Sequence, residues 1–379
     1  MKISEVATPN FLLDLDQLEK NIDKIQQICT NNNKQLWPML KTHKSTYIAR
    51  LQKNAGASGF LVGTLDEGEA LIKAGFEDIM LAYPYMGEVN INRIVTMASK
   101  INLICATDNI ECAKAYSEAF SKSKIECKLL IIVDCGLHRF GVEPEKVVEL
   151  ATEISKLENI KIVGISSHPG QVYGCSSPEG VPDVCVQEDS SMEKAYKALT
   201  DNGFNIEIVA SGSTPTVESE AASKTITAVR PGNYVYYDAI QIGLGCATED
   251  MCALTVVCTV ISKNSSGYYL IDCGSKCLGL DKGAHGNSSI VGYGRVCGHP
   301  ELTIDSLSEE VGKIKVNGET DIKIGDRIRI IPNHSCSTAN LTSNLLGFRG
   351  DTIEKVIEVD IRENSKQIIL KNTFILILT

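Results

Sequence analysis

Between residue 35 and about residue 235 the chain alternates short apolar runs with amphipathic ones, and no other feature restricts its fold as much. The apolar runs read "QLWPML", "GFLVGT", "DIMLAYP", "INLICATD", "KLLIIVDCG", "KIVGISS", "IEIVASGS" and "TAVRPG". Between them, stretches such as "DEGEALIKAGF", "GEVNINRIVTMAS", "PEKVVELATEISKL" and "SSMEKAYKALTDNGF" carry helical spacing. Strands that are apolar almost throughout have both faces covered, as in a parallel sheet. Eight such runs alternating with helices over about 200 residues predict an α/β chain with a (β/α)8, TIM-like barrel rather than an open sheet. An earlier segment, "FLLDLDQLEKNIDKIQQI", adds a strand and a helix leading into the first barrel strand.

After about residue 250 the texture changes. "CALTVVCTVISKNSSGYYLIDCG", "RIRIIPNHSC", "DTIEKVIEVDIREN" and "QIILKNTFILILT" are β-rich with turn residues between them, and helical runs disappear. The 379 residues suit two domains: a barrel over residues 1–245, whose first few residues join the other unit, and a mainly-β domain over residues 246–379. The net charge of −10 and the lack of any long basic run argue against nucleic acid as a partner. No apolar stretch reaches the roughly 18–20 residues of a membrane helix, and "MKISEVATPN" lacks the apolar centre of a signal peptide. A cytoplasmic protein is expected. The 14 cysteines are scattered without a CxxC, and several, such as Cys105 and Cys258, sit in apolar runs where a reduced thiol packs as a small hydrophobe. Cys252/Cys258 and Cys273/Cys277 are weak zinc-ribbon pairs, and the packing role is preferred for them.

Chemistry in such barrels gathers at the C-terminal strand ends, and phosphates favour the loops after the seventh and eighth strands. The seventh strand ends "VASGSTPT", where Ser211, Gly212, Ser213 and Thr214 offer hydroxyls and accessible backbone N–H groups at a helix start. The same run also reads as an ordinary N-cap turn. The eighth ends "VRPGNYVYYD", where Gly232 admits a close ligand and Tyr234 can donate a hydrogen bond. The first strand ends at Lys41, with His43 and Lys44 beyond it. The fifth brings Asp134, His138 and Arg139, and the sixth His168, Gln171 and Tyr173. A lysine facing a phosphate cradle suggests pyridoxal 5'-phosphate, held by a Schiff base at one end and by its phosphate at the other. Separately, His334 and Cys336 follow a β-run two residues apart, so in extended chain both side chains leave one face. Imidazole and thiolate suit zinc, and two ligands leave positions open, as in catalytic sites. A chance surface HxC is the alternative.

Together, "TPNFLLDLDQLEKNI", "LWPMLKTHKS", "VASGSTPT", "RPGNYVYYD" and "IIPNHSC" make the chain, over nearly its whole length, resemble the D-serine dehydratase/D-threonine aldolase family. Its members are alanine-racemase-like, fold type III pyridoxal phosphate enzymes. The resemblance implies an N-terminal barrel, a C-terminal β domain and a homodimer. It makes Lys41 the cofactor-holding lysine, and His334 and Cys336 the ligands of Zn2+ or another divalent metal such as Mn2+. Ser211 to Thr214, Gly232 and Tyr234 fall on the phosphate cradle. Arg139, His168 and Tyr173 fall near the cofactor ring or substrate, and His43 becomes a proton-relay or orienting group. One departure stands out: the family carries an "EEHG"-like stretch where this chain reads "SEEVGKI" (Ser308 to Ile314), which bears on substrate choice or oligomer contact.

The activity so implied is β-elimination from a small D-amino acid with a β-hydroxyl. D-serine comes first, giving pyruvate and ammonia, with Lys41 taking the Cα proton and a metal assisting hydroxide departure. The alternatives are retro-aldol cleavage, as by a D-threonine aldolase, and D-threo-3-hydroxyaspartate dehydration, which calls for an extra cation. A non-catalytic pyridoxal phosphate carrier would lack the β domain and the metal pair. A racemase would need a second base and has no use for His334 and Cys336.

Overall fold

In the computed structural model, which describes residues 1–282 and 290–362, every one of the eight apolar runs contains a strand. They are β2 (Gln35–Leu36), β3 (Phe60–Val62), β4 (Asp78–Leu81), β5 (Asn102–Thr107), β6 (Cys127–Ile132), β7 (Ile160–Ser166), β8 (Ile208–Ser211) and β9 (Ala228–Val229). All pair in parallel in the order β2-β9-β8-β7-β6-β5-β4-β3. The ring closes where the Ser58 N–H donates to Leu36 O at 2.8 Å and the Leu61 N–H to Pro38 O at 2.9 Å. The interior is filled by residues such as Trp37, Leu61, Met80, Ile104, Leu130, Val163 and Ala210. Gly164 has no substitute on β7, since a Cβ there would lie 1.9 Å from Ile208 O.

Helices cover the barrel: α1 (Leu15–Asn31), α2 (Thr46–Ala55), α3 (Leu65–Lys73), α4 (Glu88–Ala98), α5 (Ile110–Ser123), α6 (Val147–Ile154), α7 (Val181–Asp201) and α8 (Val217–Ala222), with the short α9 (Ala239–Gly243) after β9. Helix α7 starts well before the periodic stretch read from the sequence. Pro182 stands in its first turn, where a missing N–H costs nothing.

The second sheet is nine-stranded, in the order β11-β14-β13-β12-β15-β10-β1-β16-β17. Its members are β1 (Asn10–Asp14), β10 (Leu254–Lys263), β11 (Tyr269–Ile271), β12 (Arg295–Val296), β13 (Leu302–Leu307), β14 (Gly312–Val316), β15 (Arg327–Ile331), β16 (Asn344–Arg349) and β17 (Thr352–Glu358). Strand β1, expected to lead into the barrel, lies inside this sheet instead, antiparallel to β10 and parallel to β16. Asp14 then turns the chain into α1, its carboxylate accepting from Gln17 N at 3.0 Å. Helix does not vanish after residue 250, because α10 (Ser275–Leu278) and α11 (Ser335–Ala339) interrupt the strands. "SEEVGKI" spans the β13–β14 hairpin turn, closed by Ser308 N to Val311 O at 2.9 Å, and the first residues of β14. The run "QIILKNTFILILT" lies outside the described residues. Among the described residues no helix is long and apolar enough to cross a membrane, and no group of three or more metal-ligating side chains gathers.

Candidate active site

A cavity of about 440 Å³ opens at the C-terminal ends of the barrel strands. Past β2 the Trp37 and Met39 N–H groups still donate to Val229 O and Pro231 O at 2.9 and 3.0 Å, and the chain then turns tightly over Leu40–Thr42. That turn separates neighbours. Lys41 enters the cavity, whereas His43 is buried behind it, with Nε2 3.1 Å from Gln52 Oε1 and Nδ1 accepting from Ser45 N at 3.2 Å. Burial lowers the His43 pKa to about 4, and the ring lies outside the cavity lining. Lys44 is fixed by a buried ion pair with Glu67 at 2.9 Å, and Glu67 also accepts the Gly63 N–H at 2.7 Å.

At the β8 and β9 ends, Gly212, Ser213 and Gly232 line the cavity, while Ser211, Thr214 and Tyr234 do not. The Ser211 hydroxyl donates inward to Glu188. Thr214 Oγ1 accepts from Tyr234 N at 3.1 Å, and the Tyr234 hydroxyl meets Gln52 at 2.9 Å, away from the cavity. The Ser213 N–H, expected to be accessible, is engaged by Glu220 at 3.1 Å and Thr216 at 3.2 Å. Beneath it lies an acid pair. Burial, against bonds from Thr216 and Ser213, holds Glu220 up at about 7, and burial with the Glu220 charge holds Glu188 well above the carboxylate range. Buried Arg230 balances them, donating to Ser167 O and reaching the cavity wall. Arg230 stands in "TAVRPG" directly after β9, and a cation at the end of an apolar run is the one sequence signal that marks it.

On the opposite rim, Arg139, His168 and Tyr173 line the cavity, together with Tyr83 and Phe140, whose rings stack at 5.7 Å. Asp134 and His138 pair with each other at 2.8 Å off the cavity, and Gln171 donates to Cys135 O at 2.8 Å. The Arg139 guanidinium lies over the Phe140 ring at 5.5 Å and forms no ion pair among the described residues. His168 donates from Nδ1 to Gly212 O at 3.0 Å. Burial, then the charges of Lys41, Arg139 and Arg230, push its pKa to about 3 and keep it neutral. Tyr173 packs at 6.5 Å from the His168 ring centre, and burial raises its phenol well above the ordinary range.

The last wall comes from the second sheet. Strand β15 ends at Ile331, and His334 stands just before the first turn of α11, so the HxC pair sits at a helix start and not on extended chain. Both side chains still reach the cavity. Asp238 clamps this turn, accepting from Ser335 N at 2.9 Å and Asn233 Nδ2 at 2.6 Å. Cys336 Sγ lies 3.3 Å from Thr42 Oγ1, three residues before Ser45 and next to Lys41. Burial would raise the Cys336 thiol, but His334, followed by Lys41 and Thr42, brings it below its ordinary value. Burial opposes charge on His334, yet Cys336 and Asp281 hold its pKa well above the usual imidazole range. A cysteine sulfur beside a histidine ring, with space in front, is a donor set that fits a divalent soft metal. The other end fits a phosphorylated aldehyde cofactor: Lys41 faces the same space as the Gly212–Ser213 and Gly232 backbone.

A parallel barrel with a rim lysine, closed by a β sheet that delivers a histidine and a cysteine, defines an alanine-racemase-like enzyme architecture. The chain belongs to the family described as "Alanine racemase, N-terminal domain", whose model matches residues 13–239, and the model described as "Putative serine dehydratase domain" matches residues 253–348. It is similar to D-threo-3-hydroxyaspartate dehydratase of Delftia sp. (strain HT23), at 31% identity over 87% of this chain and 91% of that one. It is also similar to D-serine dehydratase of Dictyostelium discoideum, at 30% identity over 90% of this chain and 93% of that one. Among solved structures, a D-threo-3-hydroxyaspartate dehydratase mutant in its metal-free form superposes with a TM-score of 0.88, at 26% identity, covering 94% of this chain and 98% of that one.

Proposed function

We propose that the chain is a pyridoxal phosphate- and metal-dependent lyase that eliminates the β-hydroxyl of a small D-amino acid, with D-serine converted to pyruvate and ammonia as the main reaction. One observation carries the reading: Lys41, the Gly212–Ser213 and Gly232 cradle, and the His334/Cys336 pair all open on a single cavity. Lys41 would hold the cofactor's aldehyde, and its amine is the base placed to take a proton from the substrate's Cα. The cofactor supplies the electron sink for the carbanion, and the metal supplies a Lewis acid for a poor leaving group. His334 and Cys336 hold that metal. Gly212, Ser213 and Gly232 admit the phosphate, while Ser211, Thr214 and Tyr234 brace the cradle from behind. Neutral His168, fixed to Gly212 O, and Tyr173 flank the reacting centre. His43 keeps the Lys41 turn packed through Gln52. A barrel unit over residues 1–245 and a β unit over residues 246–379 remain our division of the chain, with β1 assigned to the second. A cytoplasmic homodimer fits this class of enzyme.

A second reading is favoured by Arg139, a cavity cation with no carboxylate partner among the described residues. It suits a substrate with a second carboxylate, as in D-threo-3-hydroxyaspartate, the substrate named for the Delftia relative. Product analysis tests both. Pyruvate from D-serine supports the main reading, and faster release of oxaloacetate from D-threo-3-hydroxyaspartate supports the second. Glycine plus an aldehyde from D-threonine, with neither ketoacid formed, would replace both with a retro-aldol lyase.

A further inference from the structure

Two segments far apart in sequence meet behind His334. One runs from α10 to Asp281, the other from Asn333 into α11. Asp281 Oδ2 lies 2.9 Å from His334 Nδ1 and accepts the Ser337 hydroxyl at 2.6 Å. The Asn333 amide ties the segments again, donating to Asp281 O at 3.4 Å and to Gly292 O at 3.0 Å. Thr338 Oγ1 donates to Leu278 O at 3.2 Å, fixing α11 to the end of α10. Asp281 itself is absent from the cavity lining, whereas His334 and Cys336 are part of it.

A carboxylate only accepts, so the nitrogen facing it must carry the hydrogen. We infer that Asp281 is a positioning residue for the metal pair: it holds His334 with Nδ1–H turned back into the protein, which leaves Nε2, beside Cys336, as the nitrogen that gives up its proton to a metal in the cavity. The inference rests on the reading of His334 and Cys336 as metal ligands. It adds that this two-ligand site depends on a third, non-ligating carboxylate. A site with only two protein ligands has little redundancy, so the orientation of each matters more than in a closed four-ligand site. Ser337 helps by occupying the same carboxylate oxygen, which keeps Asp281 from swinging away.

The experiment is zinc affinity, measured by chelator competition on the full chain loaded with cofactor. Wild type is compared with Asp281→Ala, Asp281→Asn and His334→Ala, each checked for an unchanged melting temperature and an intact visible cofactor band. The expected result is a loss of zinc affinity of about 10–100-fold in Asp281→Ala. Asp281→Asn should lose less, because its carbonyl oxygen still accepts from Nδ1–H, and His334→Ala should lose most. Wild-type affinity in Asp281→Ala, with His334→Ala impaired, overturns the inference and leaves the metal reading standing. A loss in Asp281→Ala equal to that in His334→Ala overturns it differently, by making Asp281 a ligand. Equal zinc binding by wild type and His334→Ala defeats the metal reading itself.

Discussion

The barrel end of the cavity and its β-sheet end are built by opposite means. At the barrel end, shape depends on what is missing: Gly212, at φ +148°, and Gly232 stand where a Cβ would strike Arg230 N at 2.7 Å and Thr42 Oγ1 at 2.9 Å. The ionisable groups beneath, Glu188, Glu220 and Arg230, are buried together. At the sheet end the site consists of two side chains, His334 and Cys336, whose ionisation states depend on each other and on the carboxylates around them. A site made of space should fail by crowding, and a site made of paired charges should fail by losing a partner. Lys41 stands between the two, and its loss should disable both.

The largest effect is therefore expected from Lys41→Ala. Turnover should fall by about 10³-fold or more, within the range set by loss of a general base, and the visible band of lysine-bound cofactor should vanish. An intact band would break the comparison at its centre. Next comes Cys336→Ala, which should reduce D-serine turnover by about 10²-fold through loss of the Lewis acid, while absorbance spectra keep the cofactor band. Chelation of wild-type protein should reproduce that loss. If the band disappears with the metal, the two ends are not separable. The smallest effect belongs to Gly212→Ala. Its Cβ would sit 2.7 Å from Arg230 N and from Glu220 Oε2, an overpacking cost of about 1–3 kcal/mol. Titration should show cofactor affinity weakened by about 10-fold, with zinc affinity unchanged.

Much of this was legible before any coordinates. The eight apolar runs all became barrel strands because burial on both faces leaves an unambiguous pattern. Lys41, His334 and Cys336 could be read because their side-chain chemistry is rare at the ends of apolar runs. Their immediate neighbours could not. Whether His43 and Tyr234 face the cavity depends on two tight turns, Leu40–Thr42 and Asn233–Val235, which rotate adjacent side chains to opposite sides. Strand periodicity says nothing about such turns. The Ser213 N–H was read as free because its partner, Glu220, belongs to the next helix and carries no local signal. Asp281 was invisible for a similar reason. It stands in "LGLDKGAHG", without period or motif, and gains meaning only from the chain 53 residues later, at His334.

Strand β1 carries a consequence for how the molecule can be made. It occupies an inner position of the second sheet, with Asn10 facing Val257 on β10 and Leu12 facing Leu346 on β16. Strand β1 therefore has no partner in this sheet until the whole barrel and β10 after it have been synthesised. Contacts of such long sequence separation slow folding and leave apolar edges exposed meanwhile. The second sheet expressed from residue 246 onward would have a gap at its middle. Trimming the N-terminus through Asp14 would remove the neighbour of β10, which in turn holds β15, the strand leading to His334. An edit at the chain's beginning is thus an edit to the metal end of the cavity.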